Sequence, residues 1–203
     1  MKLYDGGKAP NPRRVRIYLA EKGLTVPAEP VDMGVFGHKG AEVTALNPLQ
    51  RLPVLVLDDG AVLTETIAIC RYFEELHPEP PLFGTGAKGR ALTEMWQRRL
   101  ELNFFMPVAH AFRHTHPAMK DWEVPQIAEW GEANRPKALE FLALMDRELS
   151  EREFAAGDEF SVADITGLVA LDFMKPAKIT LPDEFVHVVR WRDALRARPS
   201  AQA

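Results

Sequence analysis

The sequence predicts an α+β chain: a short mixed half of strands and helices, followed by a half built from helices alone. Two observations carry this. The strand-like runs all precede Pro78-Glu79-Pro80-Pro81, and the apolar periodicity after those prolines has helical spacing with no convincing strand. Before them the order reads βαβ and then ββα. Strands followed by a run of helices argue for two segregated domains, not one doubly wound sheet. On this reading residues 1–78 form the first domain, 79–87 a linker and 88–203 the second.

Lys2 to Tyr4 reads as a strand, and Gly6-Gly7-Lys8-Ala9-Pro10-Asn11-Pro12 as a punctuated loop. Val15, Tyr18 and Leu19 are spaced for a helix over Arg13 to Lys22, which Gly23 stops. Val26 to Met33 holds a second strand, and Pro27 and Pro30 make it an edge. Ala41 to Leu46 has helical character. Pro53-Val54-Leu55-Val56-Leu57 is a buried-strand run, Asp58-Asp59-Gly60 a hairpin turn and Ala61 to Leu63 the return strand. Thr64 or Thr66 caps a helix that runs to about Leu76. Further helices are expected over Gly89 to His114, kinked by Pro107, and over Gln126 to Leu149, Val162 to Met174 and Asp183 to Ala197. Ser161 and Asp164 form a capping box, with Phe160 and Ile165 as its hydrophobic staple.

The composition narrows the classes. With 46% apolar residues in 203, a real core can be buried. A formal net charge of -4 does not suit a nucleic-acid partner or an anionic membrane. Cys70 is the one cysteine, so no intrachain disulfide framework exists, which fits a reducing compartment. The first residues lack the apolar stretch of a signal peptide, and no run approaches ~18 apolar residues. A cytoplasmic protein is expected.

Three places carry chemistry. Asn11 falls where a helix N-cap belongs and Pro12 at the first helical position, so a well-made helix start explains both. The other reading is that this helix N-terminus faces an anion such as a thiolate, with the Asn amide donating to sulfur. Leu52-Pro53 precedes the buried strand. An ordinary trans proline explains it, whereas a cis bond would turn the Leu52 backbone outward to pair with an extended peptide. Thr64-Glu65-Thr66 opens a helix. Capping explains the threonines. Alternatively Glu65 pairs with an ammonium while Thr66 and the helix N–H groups take the adjacent carboxylate, as an α-amino acid end requires.

The ordered set of Lys2-Leu3-Tyr4, Pro10-Asn11-Pro12-Arg13-Arg14-Val15-Arg16-Ile17, Asn47-Pro48-Leu49-Gln50-Arg51-Leu52-Pro53-Val54-Leu55 and Leu63-Thr64-Glu65-Thr66 resembles the N-terminal domain of the glutathione transferase family. Phe160-Ser161-Val162-Ala163-Asp164-Ile165 looks like that family's C-terminal capping motif. The resemblance implies a thioredoxin-like glutathione-binding domain, a helical acceptor-substrate domain, glutathione as cosubstrate, and a homodimer serving detoxification. It implies that Leu52 pairs its backbone with the cysteinyl part of glutathione, with Pro53 cis. Glu65 and Thr66 hold the γ-glutamyl end, and His38 and Lys39 lie near the glycine carboxylate. Thr66 stands where the family usually has Ser and keeps the hydroxyl.

The position that usually holds a Ser, Cys or Tyr beside the sulfur is Ala9. Ala9-Pro10-Asn11 looks like the bacterial Nu-type Thr-Pro-Asn turn with the Thr lost. That leaves Asn11 and backbone N–H groups to stabilise the thiolate. A free thiol titrates near ~8.5, and lowering that by ~2 units takes about 2.7 kcal/mol of preferential stabilisation. A charge-assisted hydrogen bond and a helix N-terminus together supply roughly that.

In the helical half, Trp96, Phe104, Phe105 and Phe112 read as bundle core, and the resemblance makes Asn103, Phe105, His110 and Phe112 candidates for an acceptor pocket. His110 and His114 have helical ligand spacing, but no third ligand is evident and no metal is expected. Arg13, Arg14 and Arg16 read as a solvated helix face with some pairing at the domain boundary, and Cys70 as buried and inert. Two functions follow. One is an enzyme whose glutathione thiolate attacks a small hydrophobic electrophile or reduces a disulfide or peroxide. The other is a non-catalytic glutathione-binding or protein-interaction module of the same fold, for which the loss at Ala9 speaks.

Overall fold

Four short strands and a helix rich in buried positions organise the first half. A computed structural model describes residues 1–203 and divides them into two units, Met1–Pro81 with Gln202–Ala203, and Leu82–Ala201. The first contains β1 (Lys2–Asp5), α1 (Pro10–Glu21), β2 (Ala28–Pro30), α2 (Ala41–Leu46), β3 (Val54–Val56), β4 (Val62–Thr64) and α3 (Thr66–Leu76). The sheet order is β2-β1-β3-β4, with β1 and β2 parallel and the other pairs antiparallel. The proline-bearing strand lies at the edge, as its sequence requires.

Alternation along the strands divides this unit's core. Tyr4, Val54, Leu52 and Val43 form one buried cluster, with Val31, Met33, Leu46 and Val56 packed on it. Leu3 and Leu55, also buried, point to the opposite face. There α1 packs against α3 through buried Val15, Ile17, Tyr18, Ile69, Cys70 and Phe73. The hairpin turn closes with Leu57 N donating to Ala61 O at 2.8 Å, and Gly60 takes φ +85°, which a glycine adopts without penalty. Lys22, its side chain fully buried, ties the end of α1 to the end of α3. Its Nζ lies 2.5 Å from Glu74 Oε2 and donates to His77 O at 2.8 Å and Pro80 O at 2.5 Å. The Tyr18 hydroxyl donates to the same Glu74 oxygen at 2.6 Å.

The second unit holds α4 (Gly86–Leu100), α5 (Met106–Thr115), α6 (Ala128–Leu149), α7 (Val162–Met174) and α8 (Val186–Arg196). From Ser161 to Leu171 every residue is buried, so α7 is the central helix of the unit. Its capping box is present. The Asp164 carboxylate accepts from Ser161 N and Oγ, both at 2.9 Å, and also from Ala155 N at 2.8 Å and Trp191 Nε1 at 2.9 Å. One residue thus serves the helix start, a loop and α8. Burial pushes the Asp164 pKa up, against the opposing pull of these donors. No helix of the chain is long and apolar enough to cross a membrane.

In this unit three departures from the expected helices each have a physical reason. The single kinked helix over 89–114 is two helices joined by a π-turn at Glu101–Phe105, where Met106 N donates to Glu101 O. Pro107 has no N–H for the Asn103 carbonyl and its ring crowds that group, so the backbone widens one turn before the proline. The next helix starts at Ala128, not Gln126, because the Gln126 side chain donates to Arg113 O at 2.7 Å and His116 O at 3.0 Å. The last starts at Val186, not Asp183. Asp146 on α6 accepts from His187 N at 2.8 Å and Val188 N at 3.0 Å, a cap 41 residues distant that no local pattern contains.

Candidate functional site

Strand register gathers the predicted residues of the first unit. Tyr4 is opposite Val54, and Val54 is opposite Thr64. One step beyond these pairs bring Leu52-Pro53 beside the loop after β1 and beside Glu65-Thr66. A Cβ built on Gly6 would lie 3.2 Å from Leu52 Cδ1 and 3.3 Å from Met33 Cγ, so the segment after β2 reaches the same end. The starts of α1 and α3 and the backbone ahead of β3 thus converge at one edge of the sheet. Asn11, Leu52, Pro53, Glu65 and Thr66 all belong to these segments.

The α1 N-terminus is built differently from the expectation. Its N-cap is Ala9, with Pro10 at the first helical position, so Asn11 lies inside the first turn and is not the cap. Pro10 sets the helical φ one residue pair earlier than Pro12 would. The consequence is a count of donors. Ala9 N donates to Gly6 O at 3.3 Å, Pro10 and Pro12 have no N–H, and Arg13 N makes the first intrahelical bond, to Ala9 O at 3.2 Å. The Asn11 N–H is therefore the one backbone donor remaining at the positive end of this helix, where several were expected. The Asn11 side chain points its Oδ1 at Arg14, whose Nη1 donates at 3.2 Å.

The arginine run is not a solvated face. Arg14 is only 2% exposed, and Arg16 reaches back to Asp5, with Nη1 at 2.7 and 2.8 Å from the two carboxylate oxygens. That pair fixes the start of α1 to the end of β1, and Gly7 N donates to the same Asp5 carboxylate at 2.8 Å. Tyr4, the nearest phenol in sequence, donates to Glu42 Oε1 at 2.8 Å; this bond and burial push its pKa up. Cys70 is fully enclosed on α3, and burial pushes its thiol up to about 12, with the Arg14 charge pulling the other way.

Leu52-Pro53 is a cis peptide, and Leu52 lies ahead of the paired register of β3. Glu65 has φ +67° and ψ 120°, a backbone conformation that an L-residue holds at a cost of roughly 1–3 kcal/mol. Neither Thr64 nor Thr66 is the α3 N-cap; Glu65 is, its side chain making no capping bond. Its carboxylate is exposed beside the helix start, while Thr66 is buried at the first helical position. Strain at an exposed acidic residue beside a helix N-terminus serves no packing need, which makes Glu65 a candidate for a ligand contact.

His38 is 2% exposed, and burial, then the charges of Lys39 and Arg51, hold its pKa down. At neutral pH it is a neutral hydrogen-bonding group. Lys39 lies with Nζ 4.8 Å from the Phe36 ring centre. Arg51 is a positive neighbour of this corner that the sequence reading passed over. Its one signal was position, directly ahead of Leu52-Pro53.

The four acceptor candidates of the second unit do not come together. Phe105 is buried with its ring 6.4 Å from Phe173, and Phe112 lies 4.9 Å from the same ring. Asn103 and His110 instead line a cavity of about 520 Å³ with Met106, Trp130, Lys137 and Phe141. The π-turn and helical spacing put the two phenylalanines and the two polar residues on different faces. Asn103 Nδ2 donates to Arg99 O at 3.1 Å. His110 is held down in pKa by burial and then by neighbouring positive charge. His114 Nδ1 accepts from Ile127 N at 3.1 Å, and no group of three or more His, Cys, Asp or Glu is arranged to hold a metal.

Comparison with known proteins bears on this geometry. Residues 9–76 match the family model described as the glutathione S-transferase N-terminal domain, and residues 105–199 match the C-terminal domain model. Glutathione S-transferase 2 of Saccharomyces cerevisiae is 36% identical over all of this chain and 88% of its own length. A stringent starvation protein A homolog of Coxiella burnetii is 30% identical over 93% of the chain and 79% of its own. Among solved structures, a glutathione S-transferase domain-containing protein of Marinobacter aquaeolei superposes with TM-score 0.95 at 39% identity, covering 99% of this chain and 100% of that one. Gtt2 of Saccharomyces cerevisiae gives 0.94 at 36%, covering 100% and 99%.

Proposed function

The chain belongs to the glutathione S-transferase family, and from that premise we propose that its first unit binds glutathione at the gathered sheet edge and activates the thiol through Asn11. The observation that carries the proposal is the strained Glu65 at the start of α3, on the same edge as Leu52-Pro53 and the α1 turn. Glutathione ends in an α-amino acid. Glu65 takes its ammonium, and the Thr66 hydroxyl with the α3 N-terminal N–H groups takes the adjacent carboxylate. The Leu52 backbone pairs with the cysteinyl portion. His38, as a neutral donor, and Lys39, with Arg51 behind them, receive the glycine carboxylate.

The sulfur then faces the α1 turn. The Asn11 amide and the Asn11 N–H give two donors to a thiolate, at the positive end of the helix dipole. The thiol proton leaves to solvent. The thiolate attacks an electrophilic carbon, a C–S bond forms, and the leaving group departs with its electron pair. With a disulfide, the same thiolate attacks sulfur and releases the other sulfur as thiolate; a second glutathione resolves the mixed disulfide. Either reaction needs the same activated sulfur, and no protein nucleophile takes part. The homodimer implied by the family belongs to this proposal and is read by sedimentation.

The test is glutathione-dependent turnover of a halonitroarene and of a disulfide by the wild type and Asn11→Ala, with the bound thiol titrated by its thiolate absorbance. The expected thiol pKa lies below ~8.5 in the wild type and rises by about 1–2 units in the variant, with activity rising with pH through each value. The faster substrate names the reaction. Ala9 favours a second reading, a module that binds glutathione or a protein without turnover. Retention on immobilised glutathione with neither substrate consumed would establish it.

A further inference from the structure

An asparagine amide is a donor on one side and an acceptor on the other, and which side meets the sulfur decides whether Asn11 helps or hinders a thiolate. The structure contains the group that decides it. Arg14, three residues along α1 and 2% exposed, places Nη1 3.2 Å from Asn11 Oδ1. A guanidinium has donors only, so the amide atom turned to it must be the oxygen. The opposite orientation would set two donors against each other beside a buried charge.

We propose that Arg14 is a positioning residue that holds the Asn11 carbonyl inward and so presents the amide NH₂ to the glutathione sulfur. This rests on the glutathione-activating role given to Asn11 above and supplies the reason for it. The side chain is locked in rotation by a partner that cannot accept, and the bond to a cation polarises the amide toward stronger donation. It also gives a use to a buried arginine near the start of a helix, where the dipole disfavours positive charge. A turn that has lost the hydroxyl at Ala9 and all but one backbone N–H retains one oriented side-chain donor.

The test is a double-mutant cycle read as the pKa of enzyme-bound glutathione, using Arg14→Met, Arg14→Lys, Asn11→Ala and the Arg14→Met/Asn11→Ala pair. Arg14→Met is expected to raise that pKa by about 1 unit in the wild-type background and to leave it unchanged when Asn11 is already Ala, with Arg14→Lys, another donor-only side chain, restoring most of the shift. An equal rise in both backgrounds means the guanidinium acts by its own charge and overturns the proposal. So does no rise in either. Should Arg14→Met fail to fold, Arg14→Gln takes its place in the same cycle with the same expected and overturning outcomes. If Asn11→Ala itself leaves the thiol pKa at the wild-type value, the activating role of Asn11 fails and this inference with it. A normal Asn11→Ala effect with a silent Arg14→Met sinks the inference alone.

Discussion

Glu65 holds φ +67° with an exposed carboxylate, so its conformation is maintained for something other than the core. Glycine at that position removes both the Cβ strain and the carboxylate. Glu65→Gly is expected to leave stability to urea unchanged or raise it by up to about 1 kcal/mol, while the Kd for glutathione weakens at least tenfold. A loss of stability with retained affinity would show that Glu65 serves the fold. At this scale the sequence was partly legible. Glu65 and Thr66 could be singled out because a carboxylate and a hydroxyl at a helix start suit an α-amino acid end, Asn11 because an amide at a helix start suits an anion, and Leu52 because a proline follows it at a strand start. What could not be read is orientation. Nothing in Pro10-Asn11-Pro12 says that the helix begins at Pro10, or that Arg14 folds inward to meet the amide. The inward turn of Arg14 goes with the packing of α1 on α3, which no local pattern contains.

Helix ends are where the second unit is held together. Asp164 accepts four hydrogen bonds in full burial, joining the start of α7 to Ala155 and to Trp191 of α8. Asp164→Ala leaves four donors without that partner and is expected to destabilise by about 3–5 kcal/mol, seen as a lower urea midpoint; Ser161→Ala, which removes only the bonds of one hydroxyl, by about 1 kcal/mol. Equal effects of the two would mean that the capping box alone matters. Gly167 marks the same contact, since an added Cβ would lie 2.1 Å from Trp191 Cη2. The capping box was legible because Ser161 and Asp164 are three apart. The role of Asp164 toward Trp191 and the cap that Asp146 supplies to α8 were not, because both partners lie on distant helices.

For the molecule as a whole, the proposed function assigns binding and activation to different residues, which should separate in one measurement. Glutathione at 100 times its Kd raises unfolding free energy by about 2.7 kcal/mol. At a pH below both bound-thiol pKa values, where no thiolate contributes to binding, Asn11→Ala is expected to keep nearly all of that thermal shift, and Glu65→Gly to lose about half of it or more at the same glutathione concentration. A thermal shift abolished by Asn11→Ala would place Asn11 in binding instead. The order βαβ-ββα followed by helices was legible across the chain, because hydrophobic period and proline punctuation are global signals. The acceptor side was not. A π-turn changes which faces Phe105, Phe112, Asn103 and His110 occupy, and a backbone widening of one residue leaves no mark in a helical periodicity. The two prolines of the α1 turn have a consequence beyond catalysis. A thiolate is a single soft atom, satisfied by two donors, whereas phosphate and sulfate need several converging N–H groups to shed their water. A helix start stripped to one backbone N–H is a poor host for such oxyanions, so the abundant inorganic anions of a cell would compete little with the sulfur for the place proposed for it.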